Sequence, residues 1–179
     1  MLLYKEGIYS YSWDSLPLTM DSSTTKSLLS QWRFQADLDR YKQCMVLRPV
    51  TICNSPEIIQ RLGVIGINGC LEMDLQGQVN SSHVLGAKIL TGIAGAYDFS
   101  RNGLYSIFVV PSTARGGKIS SVVPMGSHVD HTEHDVDILV TEQGLADLRG
   151  LDPRERAREI IRQCAHPDYR EMLSDYLAR

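Results

Sequence analysis

What this chain lacks narrows its function first. No apolar run in the 179 residues approaches the roughly 20 consecutive residues that a membrane-spanning helix needs. Met1-Leu2-Leu3 gives way at once to Tyr4, Lys5 and Glu6, so no secretory signal core is expected. The formal net charge is only −3, which argues against nucleic acid or an anionic membrane as a partner. Cys44, Cys53, Cys70 and Cys164 have no short paired spacing, so neither a zinc knuckle nor a disulfide framework is expected, only reduced, mostly buried thiols. Internal repeats and low-complexity linkers are missing too. With 43% hydrophobic and 22% charged residues, the remainder has the composition of one ordinary globular domain.

What is present begins at about Leu38. Residues 1–37 show clustered aromatics and a Ser/Thr run that could cap a short helix at 26–34, but no clear strand and no chemistry. They are expected to be a divergent N-terminal segment ahead of a domain at 38–179. Met45-Val46-Leu47 is a short strand stopped by Pro49. Asn54 or Ser55 then caps a helix with Pro56 in its first turn and Gly63 at its end. Continuous apolar content makes 64–68 a buried strand, and the alternation of Leu71, Met73 and Leu75 with Glu72, Asp74 and Gln76 makes a strand with one wet face. Gly77 turns that strand into a hairpin partner at 78–81. Residues 98–102 suggest one helical turn, 104–110, 119–123 and 137–140 suggest strands, and 145–149 a short helix ended by Gly150. Asp152 and Pro153 open a longer helix, and His166-Pro167-Asp168 separates it from a last one. Strands dominate the middle and helices close the chain, which predicts an α/β fold with a mixed sheet.

Two loops suit a ligand. Thr91-Gly92-Ile93-Ala94-Gly95-Ala96-Tyr97-Asp98-Phe99 places small residues where a backbone must approach something closely, and Pro111-Ser112-Thr113-Ala114-Arg115-Gly116-Gly117-Lys118 adds cations beside free backbone N–H groups, the makings of an anion site. Both follow strands, where open α/β sheets bind ligands. His128, His131 and His134, spaced by three with carboxylates between them, carry the right atoms for zinc or iron. Their setting between Pro124-Met125-Gly126 and a strand favours a hydrogen-bonded loop instead. Glu72 and Asp74 could be an acid–base pair, but the solvated side of an amphipathic strand is the preferred expectation. Arg154, Arg156, Arg158 and Arg162 are expected on a solvated helix face.

Several of these stretches resemble the acetyl-CoA hydrolase/transferase family, nearest its succinyl-CoA:acetate CoA-transferase branch. The resemblance rests on Asn54-Ser55-Pro56-Glu57-Ile58-Ile59-Gln60-Arg61-Leu62-Gly63, Glu72-Met73-Asp74-Leu75-Gln76-Gly77-Gln78-Val79-Asn80-Ser81, both ligand loops, Val140-Thr141-Glu142-Gln143-Gly144-Leu145-Ala146-Asp147-Leu148-Arg149-Gly150 and His166-Pro167-Asp168-Tyr169-Arg170. It covers about 38–179 and includes the histidine loop, which in that family is not a metal site.

The resemblance implies a mixed-sheet lobe of the NagB/RpiA/CoA-transferase type, two such lobes enclosing the active site, and no metal. A glutamate would attack an acyl-CoA thioester, pass through an anhydride and become a glutamyl-CoA thioester, from which a second carboxylate takes the CoA. Gly95 corresponds to the loop glycine facing the thioester, where backbone N–H groups would stabilise the oxyanion. Asn54 corresponds to an asparagine near the reacting carboxylate, and Leu71, Thr91 and Arg115, with Gly95, to positions lining the CoA site. Thr91 stands where the family usually has Asn, Ala94 where it has Gly, and Arg115 where it often has Lys. No residue corresponds to the nucleophilic glutamate: Glu6, in Tyr4-Lys5-Glu6-Gly7, does not match it.

The expectation is therefore a C-terminal lobe that acts on acyl-CoA and short carboxylates with an N-terminal lobe or a second copy. The rival expectation is a non-catalytic CoA-binding or dimerising module, or a truncated gene product. A cytoplasmic location is expected, or a mitochondrial one in a eukaryote.

Overall fold

A computed structural model of the chain describes residues 49–93 and 95–179 throughout; before them it describes only Asp39 and the backbone pieces 4–5, 8–9, 18–20 and 45–47. The helix expected at 26–34 and the expected boundary at residue 37 lie outside the described residues.

Strands β1 (Tyr4–Lys5) and β2 (Ile8–Tyr9) form a small antiparallel pair, and β3 (Leu18–Met20) pairs in parallel with β4 (Met45–Leu47). The N-terminal segment, expected to hold no strand, thus contributes a pairing partner to the first strand of the domain. Pairing across 25 or more residues leaves no local period in a three-residue strand, so composition did not reveal it. After β4 come α1 (Val50–Cys53), a turn of helix the sequence did not suggest, and α2 (Pro56–Leu62). Pro56 occupies the first position of α2, Ser55 its N-cap, and Gly63 closes it in the left-handed conformation at φ 60°.

The central sheet runs β15-β14-β10-β5, from β5 (Ile65–Gly69), β10 (Tyr105–Val109), β14 (Ile138–Thr141) and β15 (Gly144–Asp147). The first three are parallel, with Ile107 opposite both Ile67 and Ile138, and β15 returns antiparallel. This is the expected mixed sheet. Residues 145–149, expected as helix, are strand and turn instead: Ala146 and Leu148 are fully buried while Leu145 and Asp147 face out, a period of two. A second sheet, β13-β6-β7, is built from β6 (Glu72–Asp74), β7 (Val79–Asn80) and β13 (Val122–Val123). The hairpin expected after Gly77 is there, with Met73 opposite Val79. The strand expected at 119–123 is split: β12 (Ile119–Ser120) pairs back on β11 (Thr113–Ala114), while β13 joins β6.

The core lies between the two sheets and helix α4 (Pro153–Gln163). Phe108, Leu139 and Ala146 of the central sheet meet Met73, Val79 and Val122 of the second sheet and Ala157, Ile160 and Ile161 of the helix. Truncating a side chain as enclosed as Phe108 costs about 3–5 kcal/mol. Asp152 caps α4 by accepting from the Arg154 and Glu155 N–H groups, and Glu155 answers on the Asp152 N–H, a complete capping box. Helix α5 (Pro167–Ala178) starts at His166, whose ring accepts from Asp168 N–H. The strand at Ile65–Gly69 departs from expectation: only Gly66 and Asn68 point into the core, and Ile65 stays 46% exposed, as do Val109 at 40% and Leu145 at 51% on the same outer face. Continuous apolar content therefore overstated its burial. Among the described residues no helix is long and apolar enough to cross a membrane.

Candidate active site

The Gly-rich loop leaves a hairpin of β8 (His83–Val84) and β9 (Lys88–Ile89) and runs into α3 (Ala96–Asn102), which packs on β5 and β10. Gly66 makes that packing close, since a Cβ there would stand 3.1 Å from the carbonyl oxygen of Phe99. At the head of α3, Gly95 meets the loop that precedes α2. A Cβ on residue 95 would lie 2.5 Å from Asn54 Nδ2, so any side chain there would have to displace the asparagine or the loop. Asn54 is 8% exposed and donates to Asp98 Oδ2 at 3.1 Å, and Asn102 Nδ2 donates to Asp98 O at 2.8 Å. Asn54 was one candidate cap for α2, but its amide is spent here instead.

The second loop forms the tip of the β11–β12 hairpin. Arg115, Gly116 and Gly117 take φ values of 51°, 67° and 87°, three left-handed residues in succession, of which only the glycines are at ease. Tyr169 of α5 donates from its hydroxyl to Gly117 O at 2.8 Å, fixing the tip. At the foot of the hairpin, Glu142 accepts from Ser112 N at 2.7 Å and from the Ser112 hydroxyl. Those two donors hold the Glu142 carboxyl down at about 2. Arg115 and Lys118 are both exposed at the tip.

Glu72 and Asp74 are not a solvated pair. Asp74 is buried at 1% exposure and accepts from Gln76 N at 3.0 Å, Gln78 N at 2.9 Å and Gly126 N at 3.2 Å. Burial pushes its carboxyl above the ordinary range, against the pull of those amides. Glu72 Oε1 accepts from Asn80 Nδ2 at 2.9 Å, Ser127 N at 2.9 Å and Ser127 Oγ at 2.6 Å. Both carboxylates tether the 124–131 loop to the second sheet. A strand's outer face is solvated only where no loop crosses it, and sequence alternation does not say where loops cross.

The histidine loop, with a 3₁₀ turn at Glu133–Asp135, does not gather its imidazoles. His131 is fully buried beside Phe108, its Nδ1 3.3 Å from Ser100 Oγ, and burial pulls its pKa down. His134 projects outward with 83% of its side chain exposed. His128 turns to Asp130 and to His83 of another hairpin. Two of the thiols are not poised for nucleophilic attack: burial pushes Cys70 up to about 12, with Glu72 adding to it, and Cys164 up to about 11. The helix arginines are largely solvated as expected, except that Arg156 Nη1 donates to Glu133 O at 2.8 Å.

Residues 31–177, most of the chain and all of the loops just described, match the acetyl-CoA hydrolase/transferase C-terminal domain. The chain belongs to the acetyl-CoA hydrolase/transferase family. It is 57% identical over 143 residues to a succinyl-CoA:acetate CoA-transferase of Clostridium kluyveri, covering 80% of this chain and 27% of that one. It is 56% identical over 152 residues to an acetyl-CoA hydrolase of Eremothecium gossypii, covering 82% of this chain and 29% of that one. The fold is similar to that of a 4-hydroxybutyrate CoA-transferase from Porphyromonas gingivalis, with a TM-score of 0.60 and 34% identity over 76% of this chain and 32% of the other. The chain thus spans less than a third of the length of these curated relatives.

Of the residues singled out in the acetyl-CoA hydrolase/transferase pattern, the structure brings Asn54 and Gly95 together. Leu71 lies just before β6, bonded through its N–H to Asn80 O at 2.9 Å; Thr91 is exposed at the start of the Gly-rich loop; Arg115 is at the hairpin tip. Asp98, Ser112 and Glu142 escaped notice, although Asp98 stands only three positions after Gly95 and Glu142 ends a strong strand beside a glycine turn.

Proposed function

We propose that this chain supplies the CoA-binding and oxyanion-stabilising side of a carboxylate CoA-transferase or acyl-CoA hydrolase site, and that the nucleophilic glutamate is supplied by an N-terminal lobe. The observation that carries the proposal is the Asn54–Gly95 contact. It sets the Gly95 backbone directly against an amide side chain already oriented by Asp98. A preorganised donor set of this kind is what a developing thioester oxyanion requires.

In the proposed cycle the glutamate oxygen attacks the acyl-CoA carbonyl and the CoA thiolate leaves, giving an acyl-glutamyl anhydride. The thiolate then attacks the glutamyl carbonyl and releases the acyl group as a free carboxylate. An incoming carboxylate, such as acetate or succinate, reverses these steps to collect the CoA, whereas water attacking the glutamyl thioester completes hydrolysis. Gly95 and Asn54 serve the reacting centre, and Leu71, Thr91 and Arg115 line the CoA, with the Arg115 guanidinium available to a CoA phosphate. No step calls for a metal. The similarity of the chain to a succinyl-CoA:acetate CoA-transferase and to an acetyl-CoA hydrolase supports both outcomes for the thioester.

The test assays acetate-dependent CoA transfer from succinyl-CoA, and CoA binding by calorimetry, with the full chain alone and with a separately expressed first lobe of a relative. CoA binding to the chain, with transfer appearing only on complementation, is the expected result. Transfer by the chain alone would overturn the assignment of the nucleophile to another lobe, and absence of CoA binding under both conditions would overturn the whole proposal.

A further inference from the structure

Helix α3, with Gly95 at its head, is too short to fix its own direction. It has seven residues, Ala96–Asn102, and no side chain caps its N-terminus. An isolated helix of fewer than about 12 residues is marginal in water, so the orientation of this one depends on what grips it. Two faces are gripped. Asp98 and Asn102, one turn apart, tie it to α2 and the loop before it: Asp98 Oδ2 accepts from Asn54, and Gln60 Nε2 donates to Asn102 Oδ1 at 2.9 Å. Ser100 and Arg101 lie on another face and meet the histidine loop. Ser100 Oγ is 3.3 Å from His131 Nδ1. Arg101 Nε donates to Asp135 Oδ2 at 3.2 Å, while its guanidinium carbon stands 4.2 Å from the Tyr97 ring centroid.

On the loop side both groups are anchored. Val79 of the second sheet donates to His131 O at 2.8 Å and accepts from His131 N at 3.1 Å, and Glu133 O accepts from Arg156 Nη1. The His131 ring is fully buried against Phe108, and among the described residues its Nε2 has no hydrogen-bond partner. An enclosed imidazole with one nitrogen unpaired costs stability that an apolar side chain of similar size would not. Packing therefore does not account for the ring. Its hydrogen bond through Nδ1 does: the Ser100 hydroxyl lies 3.3 Å from Tyr97 O as well, so it bridges the imidazole to the first turn of α3.

We propose that His131 and Asp135 are positioning residues, which tie α3 to the second sheet and so fix the Gly95 backbone and the Asn54 amide for the reaction. The inference rests on the reading of Gly95 and Asn54 as the oxyanion side. Neither residue touches the thioester; each acts through α3. Leu71 and Arg115 sit on other elements, so loosening α3 should cost the chemical step more than the hold on CoA.

The test uses the full chain, alone for structure and complemented with the first lobe of a relative for activity. His131→Leu should melt no lower than the wild type, yet lower kcat about 10-fold with KM for succinyl-CoA within about 2-fold. Amide hydrogen exchange over residues 95–102 of the uncomplemented chain should speed up by a similar factor. His131→Asn, whose amide nitrogen can take the place of Nδ1, should restore most of both. Asp135→Asn should be milder than Asp135→Ala, and His134→Gln, exposed on the same loop, should change neither. Ser100→Ala removes the contact from the helix side and carries the test if His131→Leu fails to fold. In His131→Leu/Ser100→Ala the loss of kcat should be no larger than in either single variant. Unchanged exchange at 95–102 in His131→Leu, or an Asn variant no better than the Leu variant, would overturn the proposal. If even the wild type transfers no CoA on complementation, the reading of Gly95 and Asn54 fails, and hydrogen exchange alone decides whether His131 holds α3.

Discussion

Asn54 Nδ2 fills the space that a Cβ on residue 95 would occupy, at a separation of 2.5 Å, and the amide is held there by Asp98. Gly95→Ala must therefore push Asn54 off Asp98 or shift the loop. The expected cost is about 1–3 kcal/mol in urea unfolding, and CoA transfer by the complemented protein should fall about 100-fold. The double variant Asn54→Ala/Gly95→Ala should recover most of the stability and none of the activity. Equal destabilisation in the single and double variants would show that the close contact is not what demands glycine.

Arg115 offers two effects of opposite sign. Its φ of 51° is uncomfortable for any residue with a Cβ, so Arg115→Gly should be more stable than Arg115→Ala by about 1 kcal/mol. Both variants lose the guanidinium and should bind CoA at least ~10-fold more weakly, by calorimetry, while Arg115→Lys retains most of the affinity. If the Gly and Ala variants unfold at the same urea concentration, the left-handed strain is relieved in solution.

Glu142 gives a pH dependence whose sign is fixed. Its folded-state value of about 2 lies below the ordinary 4.5, so its contribution to stability is present above pH 4.5 and is lost as pH falls toward 2. Glu142→Gln should be less stable than the wild type at pH 7, and the two unfolding curves should converge at about pH 2. The carboxylate is exposed, so solvent screening keeps the difference small and added salt should shrink it further. Curves that stay parallel across this range would rule out the Ser112 pairing as the source.

Cys70 and Cys164 should resist alkylation. With thiols raised to about 12 and about 11, they hold almost no thiolate at pH 8. Site-resolved mass spectrometry after iodoacetamide should find both unlabelled in the native chain and labelled in guanidinium. Cys70→Ser and Cys164→Ser should both retain activity in the complemented protein. Prompt native labelling of either thiol would contradict its raised pKa.

Much of the architecture was legible because local physics writes it. Pro56 and Gly63 bracket α2, Asp152 and Pro153 open α4, and the alternation through Met73 with Gly77 after it announces the β6–β7 hairpin. Other elements misled because their local signal is ambiguous. Leu145-Ala146-Asp147-Leu148 suits a short helix or a strand equally well, and pairing with β14 made it a strand. The strand at Ile65–Gly69 looks buried on both faces, yet the packing covers only one.

By itself the sequence determined the family, the mixed α/β order of elements and the small residues of the two ligand loops, because periodicity, turn chemistry and collinear motifs are properties of the chain alone. Tertiary structure decided which side chains share a place. It set Asn54 against Gly95 from 41 positions away, sank Asp74 beneath the 124–131 loop, and drew His83 to His128 and Asp130 while burying His131 and leaving His134 in solvent. Such meetings depend on long-range packing and on which face of a strand a loop happens to cross, and no spacing along the chain records them.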